Sequence, residues 1–222
     1  MSDIATSSFA ISLATITTPW PDDRSGRERH VLGAGIFHVR EVAPDDFEYE
    51  IRTNVRDVWV EEMDLIRRLI DWVPADARMI GWRLAQDIVP AIFDVIDTAA
   101  PEEAHRLAER LTKAIRSGTT DLARDHAETG GASFEQVCAQ HSIPVAEIPE
   151  LLVKTAWTTG RTSPISLMMA TNAIAAWRLA IADDQRSEVL HDLAEQALER
   201  CEKAVDASVA WEAAGAPSVL IH

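Results

Sequence analysis

The chain has 222 residues and carries 36 acidic side chains against 21 Lys or Arg side chains, for a formal net charge of −15. With 47% apolar residues it can bury a sizeable core, and most simply it forms one domain with a C-terminal extension. The acidic charge disfavours extended binding to phosphate backbones, although a deep cleft that holds divalent cations can still bind the end of a strand.

The sequence favours a cytoplasmic protein that does not span a membrane. The first ten residues contain no Lys or Arg and no apolar core typical of a signal peptide. The longest apolar stretch, 164–182, is interrupted by Asn172 and Arg178 and falls short of a membrane span. Cys138 and Cys201 have no partner at metal-binding spacing, which predicts buried free thiols.

Three strands are predicted in the first quarter of the chain. In the first, Phe9, Ile11 and Leu13 alternate with smaller residues, which places Ala14 and Ile16 on one face. Residues 31–40 and 47–53 show similar strand patterns. Three strands in antiparallel succession are a plausible start of a mixed sheet.

The next segments predict a helix, a buried strand and a second helix. Apolar residues recur at helical spacing through 58–73, and Pro74 closes that segment. The segment 79–82 is short and apolar, as in a buried strand. Pro90 stands at the start of an apolar run, which is typical of the first turn of a helix. Asp87 lies between the strand and the helix.

The second half of the chain is mostly helical in pattern. Pro101 begins a helix that ends near Gly118, and its predicted buried stripe consists of Leu107, Leu111 and Ile115. The spacing of Ser133 and Gln136 is that of a capping box at the start of a short helix. Further helices are predicted from Ser163 to about Asp183 and over 184–215, followed by an apolar tail at 219–221.

The segment 79–92 resembles the second sequence motif of the DEDD-type 3′-5′ exonucleases, above all the stand-alone relatives of the family B DNA polymerase proofreading domain. The residues that match are Gly81, Trp82, Asp87, Pro90 and Ile92, while Arg83 stands where the family has Asn. The resemblance implies an α/β fold of the ribonuclease-H-like type, a mixed sheet flanked by helices. It assigns residues 1–183 to the exonuclease-like domain and 184–222 to a C-terminal helical extension with an apolar tail.

The family's mechanism needs four carboxylates that hold two divalent metal ions, and the resemblance locates those positions here. Ala14 and Ile16 occupy the places of the strand Asp and Glu, and Asn172 occupies the place of the Asp on the late helix. Met168 stands one helical turn earlier, where the family has a water-positioning Tyr or His. Of the four carboxylates only Asp87 remains. We therefore expect a vestigial site with no catalytic residue, no bound metal and no cofactor.

Several of these residues also have structural explanations. Asn172 shares a predicted helix face with apolar residues, which is typical of a hydrogen-bonded buried amide. Asp87 is placed to cap the Pro90 helix. The polar cluster of Asp121, Asp125, His126 and Glu128 has the composition of a cation site but more simply forms a solvated helix face.

Three functional hypotheses follow. The first is a degenerate exonuclease-like protein that acts by binding a protein partner or its own copy. The second is an active 3′-5′ exonuclease that uses Mg²⁺ or Mn²⁺ held by displaced carboxylates such as Asp22, Asp23 or Asp121. The third is an acidic mimic of nucleic acid that binds a basic partner.

Overall fold

The computed structural model describes residues 7–17, 30–56, 63–97, 99–126, 131–182 and 187–213, and for 187–188 and 205–213 it describes the backbone only. The strands are β1 (Ser7–Ile16), β2 (His30–Ala43), β3 (Asp46–Val55), β4 (Arg78–Gly81) and β5 (Thr119–Asp121). The α-helices are α1 (Met63–Trp72), α2 (Val89–Ile96), α3 (Pro101–Ser117), α4 (Leu122–Asp125), α5 (Phe134–Gln140), α6 (Glu150–Thr158), α7 (Ser163–Ala180) and α8 (Ser187–Ala213). A π-helix, Leu84–Ile88, directly precedes α2.

The five strands form one mixed sheet in the order β3-β2-β1-β4-β5. β1 pairs with β2, and β2 with β3, in antiparallel fashion, whereas β1 with β4 and β4 with β5 are parallel. β2 is therefore the one strand of this sheet that runs against the others. The predicted α/β class and the antiparallel start of a mixed sheet are confirmed.

Helices cover both faces of the sheet. On one face Phe9 and Ile11 of β1 pack with apolar residues of α1, α2 and α3, among them Leu65, Ile92 and Leu107. The opposite face is covered mainly by α7, and α5 and α8 pack beside it in the same cluster. The alternation along β1 divides its side chains between the two layers, as the period of a strand requires.

Helix α7 lies close against β2 because that strand carries glycines. A Cβ atom added at Gly35 would lie 2.8 Å from the Cβ of Met169 and 2.9 Å from its backbone oxygen. No side chain fits there without displacement of the helix backbone. Gly35 thus allows the helix and the strand to approach each other, and α7 is buried along most of its length.

Local predictions hold best where a capping residue marks an element. The predicted capping box is present: the Gln136 N–H donates to Ser133 Oγ, and the Ser133 N–H donates to Gln136 Oε1 at 2.9 Å. Pro101 begins α3 and Gly118 ends it, as predicted. The buried stripe of α3 was wrong at its last position, since Ile115 is 40% exposed and Ala114 is buried in its place.

Two elements differ from the sequence prediction. The segment that begins at Asp121, interpreted as a solvated helix face, contributes the end of β5 before the short helix α4. Helix α6 was not predicted. The early part of the predicted helix 58–73 lies outside the described residues, and α1 begins at Met63.

The long C-terminal helix is confirmed and packs on the body of the fold. Leu190, Ala194 and Ala197 of α8 are buried in the same cluster as Trp177 of α7. Both cysteines are buried free thiols, as predicted. In the described part of the chain, no helix has the length and apolar character needed to cross a bilayer.

Candidate functional site

A cleft lies where β1 continues beyond the end of β4. The two strands pair only from Ser8 to Ala10 of β1, so the rest of this edge of β1 is not covered by β4. The cleft has a volume of about 230 Å³. Its lining residues are Ile11, Ser12, Leu13, Thr15, Trp82, Asp87, Ile88, Ala91, Phe134, Asn172 and Ala176. A crevice beyond the carboxyl ends of parallel strands is the usual location of a ligand site in α/β folds.

Asp87 reaches the cleft from the π-helix. The chain turns sharply after β4 because Arg83 adopts a left-handed conformation, with φ 51° and ψ 45°. The Arg83 carbonyl accepts hydrogen bonds from the N–H groups of Asp87 at 2.8 Å and Ile88 at 3.4 Å. Its guanidinium Nε lies 3.2 Å from Asp87 Oδ2. The carboxylate is therefore oriented by an ion pair with the residue that forms the turn.

Gly81 and Asp121 also help to hold the π-helix in place. Gly81 leaves room for it, since a Cβ atom there would lie 2.9 Å from Ile88 Cδ1. The N–H of Ala85 donates to Asp121 Oδ2 at 3.0 Å. Asp87 does not cap α2, because the N-cap residue is Ile88 and no side-chain cap is formed. The capping interpretation of Asp87 was wrong, and the carboxylate that supports the turn is Asp121.

Asn172 lies on the cleft wall formed by α7, and its amide is engaged by the backbone. Its Oδ1 accepts from the Ala146 N–H at 3.0 Å, and its Nδ2 donates to the Ala146 carbonyl at 2.9 Å. This double contact holds the segment between α5 and α6 against α7. The predicted hydrogen-bonded amide is confirmed, although the residue is only partly buried.

Ala14 and Ile16 lie in an apolar cluster instead of the cleft. Each is 1% exposed, and they pack with Ile165 and Met169 of α7. Met168 is partly buried against the same cluster. Ala14 therefore lies on the face of the sheet that α7 covers, the helix that carries Asn172. The structure divides the five predicted site residues: Asp87 and Asn172 line the cleft, and the other three form or border the apolar cluster.

Sequence reasoning missed several cleft residues. Ser12 and Thr15 of β1 and Phe134 of α5 line the cleft, and the rings of Phe134 and Trp82 are 5.5 Å apart. Ser12 could have been found, because it lies two positions before Ala14 and strand alternation places the two on one face. Phe134 comes from a distant helix, and no local pattern points to its place in the cleft.

Other groups with reactive side chains lie outside the cleft. Ser7 Oγ lies 2.9 Å from His38 Nε2, near the opposite end of β1, and burial lowers the pKa of His38. Burial raises the pKa of Cys138 to about 12 and that of Cys201 to about 11, so both thiols stay protonated at neutral pH. Within the described residues, no three His, Cys, Asp or Glu side chains come together in a group fit for a metal ion.

Comparison of the chain with protein-family models, with curated proteins and with solved structures finds no match.

Proposed function

We propose that the chain is a catalytically degenerate exonuclease-like protein that acts by binding a protein partner or its own copy. The observation that carries the proposal is the burial of Ala14 and Ile16, each 1% exposed among apolar side chains of α7 and its neighbours. In the resembling exonucleases these positions hold carboxylates that bind catalytic metal ions. A carboxylate introduced there would meet an apolar cluster instead of a hydrated cleft.

The sheet topology supports the ribonuclease-H-like part of the proposal. The order β3-β2-β1-β4-β5, with β2 alone antiparallel to the other strands, fits that fold. The position of Asp87 after β4 and of Asn172 on the late helix α7 also fits, since the two residues line one cleft beside β1. These are the places that the family resemblance assigned to the second and last carboxylates.

The donor groups of the cleft suit metal ions poorly. Among the described residues, Asp87 is the single carboxylate in the lining of the cleft, and Arg83 already neutralises part of its charge. The Asn172 amide is committed to Ala146 through both its oxygen and its nitrogen. Mg²⁺ and Mn²⁺ in two-metal sites depend on several carboxylates that share the charge of both ions. The cleft residues therefore favour binding without phosphoryl-transfer chemistry.

The two alternative functions depend on other acidic residues. Asp121, one candidate for a displaced metal ligand, accepts a hydrogen bond from the Ala85 N–H and supports the π-helix. Asp22 and Asp23 lie outside the described residues. The acidic-mimic hypothesis rests on the net charge of −15 and predicts that a basic partner binds in a strongly salt-dependent way.

A metal-dependent stability measurement tests the proposed function. A ligand that binds only the folded state raises stability by about 2.7 kcal/mol at a hundred times its Kd. We expect millimolar Mn²⁺ or Mg²⁺ to leave the Tm unchanged relative to ionic-strength controls, and we expect no end release from labelled single-stranded DNA or RNA. Asp87→Ala should behave like the natural chain in both assays.

The matched control is Asp94→Ala, which removes an exposed carboxylate on α2 that does not line the cleft. A saturable rise of Tm with Mn²⁺ that persists in Asp94→Ala and disappears in Asp87→Ala would contradict the proposal. Metal-dependent end release with the same dependence on Asp87 would establish the enzyme instead.

A further inference from the structure

Among the described residues, β3 forms one outer edge of the sheet. It has ten residues, about twice the usual strand length, and contains no Pro or Lys, so Asp46, Glu48, Glu50 and Arg52 carry its only charges. Among the described residues, the only strand that pairs with β3 is β2. A long edge strand with unpaired backbone groups is a template for pairing with another strand.

The pairing with β2 determines which backbone groups point outward. The N–H of Arg56 donates to the Leu32 carbonyl at 2.8 Å, one position beyond the Gly33–Val55 pair. Because hydrogen-bonded pairs alternate along antiparallel strands, even-numbered residues of β3 turn their N–H and C=O groups towards β2. The backbone groups of Tyr49, Ile51 and Thr53 therefore point towards the outer edge, where no further strand lies among the described residues.

We propose that β3 pairs with β3 of a second copy of this chain in antiparallel register, centred on Ile51. This register makes Ile51 its own partner and places Tyr49 opposite Thr53, so the outward backbone groups of the two copies meet as hydrogen-bonded pairs. The two sheets join across a two-fold axis, as the self-complementary patch of a homodimer requires.

Charge complementarity selects this register and this partner. In this register Glu50 of one copy lies opposite Arg52 of the other, and the two-fold symmetry produces this pair twice. Both side chains are accessible, with 51% and 35% exposure, and within one copy they already form an ion pair at 2.6 Å. A slip of two residues along the partner strand would oppose Glu50 to Glu50 or Arg52 to Arg52, and like charges directly opposite each other are destabilising.

The inner face of the new strand pair is compatible with the same register. Tyr49 and Ile51 are partly buried against the cluster that α7 and α8 form. In the second copy, Thr53 would lie opposite Tyr49, and Ile51 would lie opposite Ile51. Cross-strand pairs that include β-branched residues are typical of stable sheets. An interface made by one strand edge is small, so the dimer should be weak and concentration-dependent.

This dimer would be the binding event of the function proposed above, and the inference rests on that proposal for its role. Sedimentation equilibrium of the full chain, from micromolar to millimolar concentration at about 0.15 M ionic strength, measures it under conditions that screen the net charge. We expect a reversible dimer. Glu50→Arg and Arg52→Glu should each weaken it about tenfold, because each change opposes like charges twice.

Mixing the two variants provides the decisive readout. In a mixed pair, the Arg at position 50 of one chain faces the Glu at position 52 of the other, and the remaining pair is complementary as well. The mixture should therefore form heterodimers about tenfold more tightly than either variant alone. Changes to the ion pair within one chain cannot produce that recovery. Far-UV circular dichroism and Tm confirm that each variant is folded.

Glu48→Arg is the matched control, because it makes the same change of net charge but position 48 faces Asn54 in this register. It should leave the dimer within about twofold of the natural chain. A chain that stays monomeric throughout, or a mixture that binds no better than its components, would overturn the inference. If the chain is a monomer without nuclease activity, this inference fails, but the proposed function still holds with a different protein partner. If the chain is an active nuclease that also dimerises, only the proposed function fails.

Discussion

Two neighbouring parts of helix α7 meet strand β1 in opposite ways. Towards its start, α7 contributes Ile165 and Met169 to an apolar cluster with Ala14 and Ile16, and these side chains are almost fully buried. One turn further on, Asn172 faces a cleft of about 230 Å³ with Ser12, Thr15 and Asp87. The cluster and the cleft are neighbours on the same strand, yet the cluster is apolar throughout, whereas the lining of the cleft includes four polar side chains.

This difference shows which part of the site has room for ligand chemistry. In the cleft, polar atoms are oriented by hydrogen bonds and ion pairs, and a small ligand or water can reach them. In the apolar cluster, a charged side chain would lose its hydration among apolar neighbours. A function that needed charges at both places would conflict with the packing, and this conflict is the basis of the predictions below.

The largest expected effect is that of a charge in the apolar cluster. Ile16→Glu should reduce the free energy of unfolding by about 3–5 kcal/mol at neutral pH, because the carboxylate would be removed from water among the apolar side chains of the cluster. Burial raises the pKa of such a carboxyl in the folded state above its unfolded value. Its protonated form is tolerated better, so the penalty should be smallest below the unfolded pKa and grow as the pH rises.

Urea unfolding of Ile16→Glu at several pH values measures this dependence. Ile16→Gln is the matched control, since the Gln side chain has the shape of Glu without a titratable group. Its loss of free energy of unfolding should be the same at every pH. Equal losses for the two variants across the pH range would mean that the side chain reaches solvent, and the cluster would then be part of the cleft.

A smaller effect is expected at the cleft wall. Asn172→Asp replaces the Nδ2 donor by a carboxylate oxygen that faces the Ala146 carbonyl, now 2.9 Å from the amide nitrogen. We expect a loss of about 1–3 kcal/mol in the free energy of unfolding, because one partly buried hydrogen bond becomes a contact between two acceptors. The Asn172→Asp variant, which carries the residue of the resembling family, should therefore be less stable than the natural chain.

Asn172→Ala separates the effect of the lost hydrogen bonds from the effect of the added charge, since it removes both hydrogen bonds without adding charge. Thermal unfolding in the pH range below the ordinary Asp pKa should bring Asn172→Asp back towards the natural chain, because the protonated carboxyl can donate to Ala146. If Asn172→Asp is as stable as the natural chain at neutral pH, the segment at Ala146 adapts to a carboxylate and the cleft can accept a metal ligand.

The smallest effect concerns the turn that presents Asp87. Arg83 is held in a left-handed conformation that Asn adopts more readily, and its ion pair with Asp87 is largely exposed. Arg83→Asn should raise the free energy of unfolding by a few tenths of a kcal/mol, since relief of backbone strain outweighs the loss of a weak ion pair. Arg83→Ala loses the ion pair and keeps the strain, so it should be slightly destabilising. A more stable Ala variant would show that the ion pair, not the backbone, opposes folding.

Strands and helix ends in this chain were accessible from local patterns. Alternation placed Ala14 and Ile16 on one face, and the Ser133 and Gln136 spacing located the start of α5, because both depend on geometry within a few residues. Strand β5 was missed, since three residues are too few to show a period. The exposed Ile115 was missed because the partners of α3, not its spacing, decide which flank of an amphipathic helix is covered.

The sequence by itself determined most of the strands and helices, and it determined that Ala14, Ile16 and Asn172 cannot supply carboxylates, because residue types and short-range periodicity are properties of the chain alone. The tertiary structure decided how those residues are grouped. It placed Asp87 in the cleft through a left-handed Arg83 and a π-helix, committed Asn172 to Ala146, 26 positions away, and left the outer edge of β3 without a paired strand among the described residues. These outcomes depend on contacts between distant segments, and local propensity carries no information about which distant groups will meet.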